Sequence, residues 1–200
     1  MEDGLPQITP QPQPSPQQPL QPETPPQWYA LRVTYSRELK ARTMLEEKGI
    51  RTFVPMKRLR EEKRGKVIDR TVPAINNLIF AFADQQTIYD HLKSEGESPI
   101  TRFIWDRNTR KPLIVPTKQM EDFIRVCETS GDEVLYLSEV SEQFASGTKV
   151  RVRFGALAGV EGKVVRIKKS RRILVELPQL GAVASTYVPM EYLEVLPEES

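Results

Sequence analysis

The sequence predicts an α+β protein of two domains: an antiparallel sheet with helices over residues 28–128, and a small five-stranded β-barrel over residues 147–196. Three observations predict it. Residues 28–128 switch repeatedly between the period of a strand and the period of a helix. Residues 147–196 hold short Val- and Ile-rich pieces with glycines between them, as in a small barrel that removes exposed sheet edges. An acidic, polar stretch between the two, residues 129–146, reads as a linker, with a short ordered turn expected at Val134–Leu137.

Residues 1–27 stand apart. They hold nine of the 17 prolines and no Lys or Arg. With few apolar side chains to bury and many missing backbone donors, this segment cannot offset the entropy of ordering, and a disordered, partly polyproline-II tail is expected. The tail is read as a passive extension, with a ligand for a polyproline-binding module as the sharper alternative.

Trp28–Thr34 alternates as a strand, with Tyr29, Leu31 and Val33 on one face and Trp28, Ala30 and Arg32 on the other. Ser36 is placed to cap a helix on which Ala41, Met44, Leu45 and Lys48 recur, and Gly49 stops it. Ile50–Leu59 reads as a strand, Arg64-Gly65 as a hairpin tip and Val67–Val72 as the return. Leu78–Ala83 is wholly apolar and so belongs at the centre of the sheet. Asp84 is expected to cap a second helix carrying Ile88 and Leu92. Two short strands, Arg102–Asp106 and Leu113–Val115, precede a third helix from Thr117. Its stripe of Met120, Phe123, Ile124 and Cys127 makes the cysteine a packing residue rather than a nucleophile. The barrel strands are expected at Lys149–Phe154, Lys163–Ile167, Arg172–Leu177, Ala182–Tyr187 and Leu193–Leu196.

The net charge of +2 hides an uneven distribution. From Gly147 to Leu196 there are nine basic against four acidic side chains, a net of +5, whereas residues 1–27 carry −3. Lys168, Lys169, Arg171 and Arg172 surround Ser170 at an expected hairpin tip, where they suit phosphate or RNA contact; an ordinary solvated turn is the plainer alternative. A second patch combines Arg37, Lys40 and Arg42 with Tyr35, an aromatic suited to stacking on an exposed base. Its plainer alternative is a solvated helix face.

Several classes are disfavoured. A single cysteine allows no intramolecular disulfide and points to a reducing, cytoplasmic setting. With one histidine, His91, a zinc site lacks ligands. The longest apolar run, Leu78–Ala83, falls far short of the roughly 20 residues that span a bilayer, and no secretory signal is visible. No nucleophile–base arrangement, phosphate loop or dinucleotide fingerprint appears. No enzyme, cofactor, metal or membrane contact is expected.

The stretch from Gly147 to Val165, Gly-Thr-Lys-Val-Arg-Val-Arg-Phe-Gly-Ala-Leu-Ala-Gly-Val-Glu-Gly-Lys-Val-Val, resembles the KOW motif, in which alternating valines lead into a glycine-containing loop and a second strand. Gly155, Gly159 and Gly162 fall where tight turns are expected. Upstream, Gln27-Trp-Tyr-Ala-Leu-Arg-Val and its charged helix resemble the opening of the NusG N-terminal domain. Val54-Pro55, a basic hairpin and the strand Leu78–Phe82 follow in family order. Asn76-Asn77-Leu78 stands where the family has Pro-Gly/Asn-Tyr. Lys111-Pro-Leu-Ile-Val-Pro116 and its helix resemble the domain's end.

The resemblance covers residues 27–196. It implies a ferredoxin-like, split-βαβ domain followed by an SH3-like KOW barrel, and looks most like the specialised UpxY- and RfaH-like paralogues of capsular or surface-polysaccharide operons. It implies a factor that binds RNA polymerase and suppresses pausing and premature termination. The family's polymerase-docking surface falls on Arg32, Ile75, Leu78 and Phe80, and the surface meeting non-template DNA on Tyr35, Arg37 and Lys40. For Phe80, core packing is an equally good reading. General members also carry a Phe-Gly-Arg loop that engages a ribosomal protein or a termination factor; here Leu180-Gly181-Ala182 lacks both the aromatic and the arginine. The leading reading takes non-template DNA or nascent RNA as a partner beside polymerase; the alternative reading is a KOW-type RNA-binding module associated with ribosomes or translation.

Deleting residues 1–26 is expected to leave the thermal midpoint nearly unchanged in a melting experiment; a fall of more than about 4–8 °C, the shift that a 1 kcal/mol loss brings in a small domain, would show that the tail packs.

Overall fold

The computed structural model of the chain describes residues 24–63, 65–96, 98–137, 147–167, 169–177 and 179–197. Most of the Pro/Gln-rich tail (residues 1–23), Lys168 and the linker residues 138–146 lie outside them.

The first sheet is organised around two strands that have almost no polar side chains. β1 (Gln27–Val33) and β5 (Leu78–Ala83) pair antiparallel from Gln27↔Ala83 to Arg32↔Leu78. β2 (Arg51–Phe53) adds outside β5, while β6 (Thr101–Phe103) and the two-residue β7 (Ile114–Val115) add to the other side of β1. The order is β2-β5-β1-β6, and every pairing is antiparallel. Both faces are covered, which is why β1 is buried from Trp28 to Leu31 without polar alternation. One face carries Tyr29, Leu31, Val33, Ile79 and Ala81 into a core with Ala41 and Leu45 of α1 (Glu38–Glu46) and Ile88 of α2 (Gln85–Ser94). The other carries Trp28, Ala30, Leu78 and Phe80 toward Met120 and Phe123 of α3 (Thr117–Thr129).

Local chemistry sets the boundaries. Asp84 caps α2 as expected, accepting from the Thr87 N–H at 2.8 Å; its bond with the Thr87 hydroxyl is the main reason its carboxyl sits below the usual range. Ser36 does not cap α1: it adopts a left-handed conformation (φ 51°), and Arg37 occupies the cap position. The strand expected over Ile50–Leu59 is broken at Val54-Pro55. After the break, β3 (Met56–Lys63) pairs with β4 (Lys66–Pro73) as a separate, mostly exposed two-stranded hairpin. Proline has no N–H to continue a ladder, so the break falls there. His91, on a helix that reads as polar, is buried, with Nε2 3.0 Å from Glu95 Oε1. The Glu95 carboxylate also accepts from the Ile100 N–H (2.5 Å) and the Thr101 N–H (3.1 Å), pinning the start of β6 to the end of α2.

The second sheet takes the order β13-β9-β10-β11-β12-β8, all antiparallel. Five of its strands fall where the sequence places them: β9 (Lys149–Val152), β10 (Glu161–Ile167), β11 (Ser170–Leu177), β12 (Gly181–Tyr187) and β13 (Leu193–Val195). The sixth, β8 (Leu135–Leu137), comes from the stretch read as linker and pairs with β12. Its Leu135 and Leu137 pack against the buried Leu174, Ala182 and Ala184, apolar surface that a solvated turn would leave open. Gly159 turns the β9–β10 loop in the left-handed region (φ 87°). Gly162 sits inside β10 instead, where an added Cβ would run into the Leu174 carbonyl and come within 2.8 Å of Ile173 Cγ2. Close approach of backbones, rather than a turn, requires this glycine.

No helix among the described residues is long and apolar enough to cross a membrane. Among the same residues, no group of three or more His, Cys, Asp or Glu side chains is placed to hold a metal ion.

Two expectations follow. Gly162→Ala should destabilise the second sheet by about 1–3 kcal/mol, the usual cost of overpacking, read from urea unfolding; unchanged stability would mean that β10 and β11 separate freely. Burial pushes the Cys127 thiol up to about 12, with the nearby Tyr136 hydroxyl offsetting only part of the shift. At pH 8 roughly one thiol in ten thousand is then ionised. Iodoacetamide should label the native protein at least about 100-fold more slowly than the denatured one, and equal rates would show that the packing of α3 against β8 opens readily.

Candidate functional site

The exposed end of the first sheet is shaped by the chain leaving β1. Tyr35 (φ 58°) and Ser36 (φ 51°) are consecutive left-handed residues, a conformation that costs roughly 1–2 kcal/mol for each non-glycine residue. The strain is opposed by a set of hydrogen bonds to the turn before β5. The Ser36 N–H donates to Asn77 Oδ1 at 3.1 Å, and the Val33 N–H donates to the Asn77 carbonyl at 2.9 Å. Asn77 is itself left-handed (φ 60°), a conformation that asparagine tolerates well. Its N–H donates to Glu38 Oε1 at 2.6 Å. Glu38 is only 2% exposed and opens α1, where the helix dipole favours a carboxylate.

The result is an aromatic ring held out in water. Tyr35 is 84% exposed, and the Arg37 guanidinium lies over its ring at 5.1 Å from the centroid. Lys40 is exposed on α1. The three residues expected at the non-template DNA surface are thus brought together on one loop and the start of one helix. Asn77 and Glu38, which fix that loop, are not among the sequence candidates, although Asn77 occupies the Gly/Asn position of the family pattern.

The residues expected at the docking surface are divided by depth. Arg32 is exposed and stands between Leu78 on β5 and Arg102 on β6. Ile75 is half-buried against the core. Leu78 is 4% exposed and Phe80 not at all. Phe80 packs against Phe123 of α3 with ring centroids 5.9 Å apart, so it supports the surface from below and offers no area to a partner in this arrangement. Phe80→Ala would act through the core first, at about 3–5 kcal/mol.

The basic tip of the second sheet is also divided. Lys169 is exposed in a left-handed turn (φ 66°), and Arg171 faces Arg166 directly across the β10–β11 pair. Like charges placed opposite each other repel, so an anion at this tip would relieve the pair. Arg172 is engaged differently. Its Nη1 donates to the Glu133 carbonyl at 2.8 Å and the Ser185 carbonyl at 2.6 Å, fastening β11 to the turn after α3. That use turns its guanidinium inward, away from a nucleic acid at the tip.

The two sheets share α3. Its polar side docks on backbone groups of the second sheet and its loops. Lys118 Nζ donates to the Gly159 carbonyl (2.8 Å), Arg125 Nη1 to the Ala158 carbonyl (2.5 Å) and Gln119 Nε2 to the Glu176 carbonyl (2.5 Å). Asp122, 6% exposed, accepts from the Glu161 N–H at 3.1 Å and pairs with Lys118. A second tie joins Gln179 to Asp106 and to the Arg107 N–H, at 2.6 and 3.0 Å. The Asp106 carboxyl is held below its usual range, first by the Thr109 N–H. Gln179 adjoins Leu180-Gly181-Ala182.

Residues 26–124 match the family model described as transcription termination factor nusG. Among solved structures the chain is similar to one titled "Domain interaction in Thermotoga maritima NusG", at 14% identity, covering 86% of this chain and 98% of that one, with a TM-score of 0.41. A comparison with curated proteins gives no match. Proteins of the NusG family are transcription factors that bind RNA polymerase rather than enzymes. Over residues 26–124, its α/β part, the chain is thus similar to the NusG family.

Proposed function

We propose that this chain is a specialised elongation factor of the UpxY- and RfaH-like kind. In this reading it docks on RNA polymerase in the cytoplasm and carries it past pauses and premature terminators in a capsular or surface-polysaccharide operon. The first domain is read as a ferredoxin-like split-βαβ unit, which the all-antiparallel order β2-β5-β1-β6 supports. Residues 147–196 are read as an SH3-like KOW barrel. The observation that carries the proposal is the joining, in one chain, of a NusG family domain over residues 26–124 to the valine-alternating segment at Gly147 that folds as β9, a glycine loop and β10.

Polymerase meets the open end of the first sheet. Arg32 and Ile75 make the contact, and Leu78 with Phe80 give that face its shape. Tyr35, Arg37 and Lys40, on the adjoining loop and helix, face non-template DNA. Lys169 and Arg171, with Lys168 beside them in sequence, serve nascent RNA at the barrel tip. Arg172 adds charge there only if its carbonyl contacts release. A ribosomal or termination-factor partner of the barrel would have to compete with the Gln179 contacts to Asp106 and Arg107.

The test is a pull-down with core polymerase and a read-through assay on a template with one terminator. Arg32→Glu should weaken polymerase binding roughly 10-fold, about 1.4 kcal/mol, with the melting temperature unchanged because the side chain is exposed. Wild type should raise read-through. A fall in read-through would instead assign the termination activity that the family's description names. Co-purification with ribosomal subunits in place of polymerase would move the chain to translation.

A further inference from the structure

We infer that Asn77 and Glu38 are positioning residues, which hold Tyr35 and Arg37 as a preformed platform for stacking an unpaired base of single-stranded DNA. The inference rests on the nucleic-acid reading of the Tyr35 surface and goes further by assigning how that surface is built and what it selects.

Packing does not explain the conformation of the Tyr35 loop. Two adjacent non-glycine residues are left-handed, and one is a tyrosine whose ring is almost wholly in water. Burial of that ring therefore offsets none of the strain. The loop is fixed from outside, by a residue 41 positions away whose side chain reaches Ser36 and whose own N–H is held by a buried carboxylate. Strain that surrounding structure maintains in this way is characteristic of binding sites. What it presents is an exposed aromatic face with a guanidinium over it and a second cation, Lys40, on the helix that follows.

A flat aromatic with flanking cations suits a flat, π-faced ligand attached to phosphates. Every base has such a face, but in a duplex it is covered by its neighbours, so the platform selects single strands. Holding the loop in place before binding removes the entropy of ordering it afterwards. The roles then separate. Tyr35 supplies stacking, Arg37 and Lys40 supply charge, and Asn77 with Glu38 supply geometry alone.

This separation is measurable on the full chain by fluorescence anisotropy, with a short labelled oligodeoxynucleotide as single strand and as duplex, over a salt series. Tyr35→Ala should weaken single-strand binding about 10-fold, and Tyr35→Phe should restore it to within about two-fold, since stacking needs the ring and not the hydroxyl. Arg37→Ala should lower the slope of log affinity against log salt by about one. Asn77→Gly permits the same backbone conformation but removes Oδ1; it should weaken binding about three- to ten-fold with the salt slope unchanged, because the loss is of order and not of charge. Glu38→Ala, which leaves the Asn77 N–H without its acceptor, should weaken binding as Asn77→Gly does with the salt slope unchanged, and Glu38→Gln, which keeps an acceptor, should restore it; a folded Glu38→Ala variant that binds as wild type does would overturn the role of Glu38.

A folded Asn77→Gly variant that binds as wild type does, or one that loses salt slope along with affinity, would overturn the positioning role. Tyr35→Ala binding as wild type while Arg37→Ala fails would reduce the patch to charge alone and overturn the platform. Wild type that prefers duplex DNA, or a matched oligoribonucleotide, over single-stranded DNA would refute the DNA reading itself, whatever Asn77 does.

Discussion

The arrangement of the whole molecule depends on α3 being buried on two sides. Toward the first sheet it presents Met120 and Phe123 and completes the core over Phe80 and Trp28. Toward the second sheet it presents Asp122 and Val126, and one apolar cluster runs from β1 through the helix to Val150, Ile173 and Val183. A helix in this position must satisfy two sets of neighbours with one sequence. It does so by combining an apolar stripe for the first sheet with a polar row, Lys118, Gln119, Asp122 and Arg125, whose partners are backbone groups of the second. Backbone acceptors are present whatever the side chains, so this docking constrains the shape of the second sheet more than its composition. Asp122 adds the strongest requirement: a carboxylate removed from water needs its cation and its N–H donor, and both are supplied within 3.1 Å.

With α3 covering one face of the first sheet and α1 and α2 the other, Arg32 stands exposed at the end of the β1–β5 pair. The pairing Arg32↔Leu78 closes the β1–β5 ladder there, and beyond it the two chains diverge into the Tyr35 loop and the Asn77 turn. Because the ladder fixes where both chains leave, the two loops meet in a defined register, and Asn77 reaches Ser36 without a long side chain. The presentation of Tyr35 is thus a consequence of strand register as much as of the loop's own sequence, and it joins the proposed DNA surface to the proposed polymerase surface through three residues of backbone.

Much of the architecture was legible in the chain. Leu78–Ala83 has no polar residue and could only be central. Asp84 starts α2 for a chemical reason visible in sequence, and the strands of the second sheet were marked by valines and glycines. What was not legible has common physical causes. Leu135 and Leu137 sit in an acidic stretch, and only the facing Ala182 and Ala184 explain their strand. The docking of α3 through its polar row was not visible because sequence does not show that backbone carbonyls will face it. Arg172 looked like one more cation of a tip, yet its guanidinium is fixed by carbonyls from two separate elements. Ser36 has the composition of a cap, but the left-handed pair moves it off the helix axis. At the proposed DNA surface, Tyr35, Arg37 and Lys40 were singled out from residue type and from the family resemblance. Asn77 and Glu38 were not, since neither contacts solvent chemistry and both act through hydrogen bonds that span some 40 positions.

The two proposed surfaces are held by separate sets of interactions. The halves of the chain are joined through α3, through the Asp106–Gln179 contacts, and through ties between the β3–β4 hairpin and the segment after α3, where Tyr136 donates to the Met56 carbonyl and Arg58 meets Asp132. The Tyr35 loop is anchored instead on Asn77, Glu38 and, through the Thr34 N–H, the Ile100 carbonyl. Hydrogen bonds of the first set are individually modest, about 0.5–1.5 kcal/mol each, and several go to exposed side chains. Separating the second sheet from α3 would break them and uncover apolar area around Val126 and Ile173, but would leave the geometry of the Tyr35 loop intact. Contact with DNA therefore does not require the two halves to part. Occupation of the Gln179 turn by an outside partner would, because that turn is already bound to Asp106 and Arg107, so the contacts proposed for the second sheet, and not those proposed for Tyr35, are the ones that depend on how the halves are arranged.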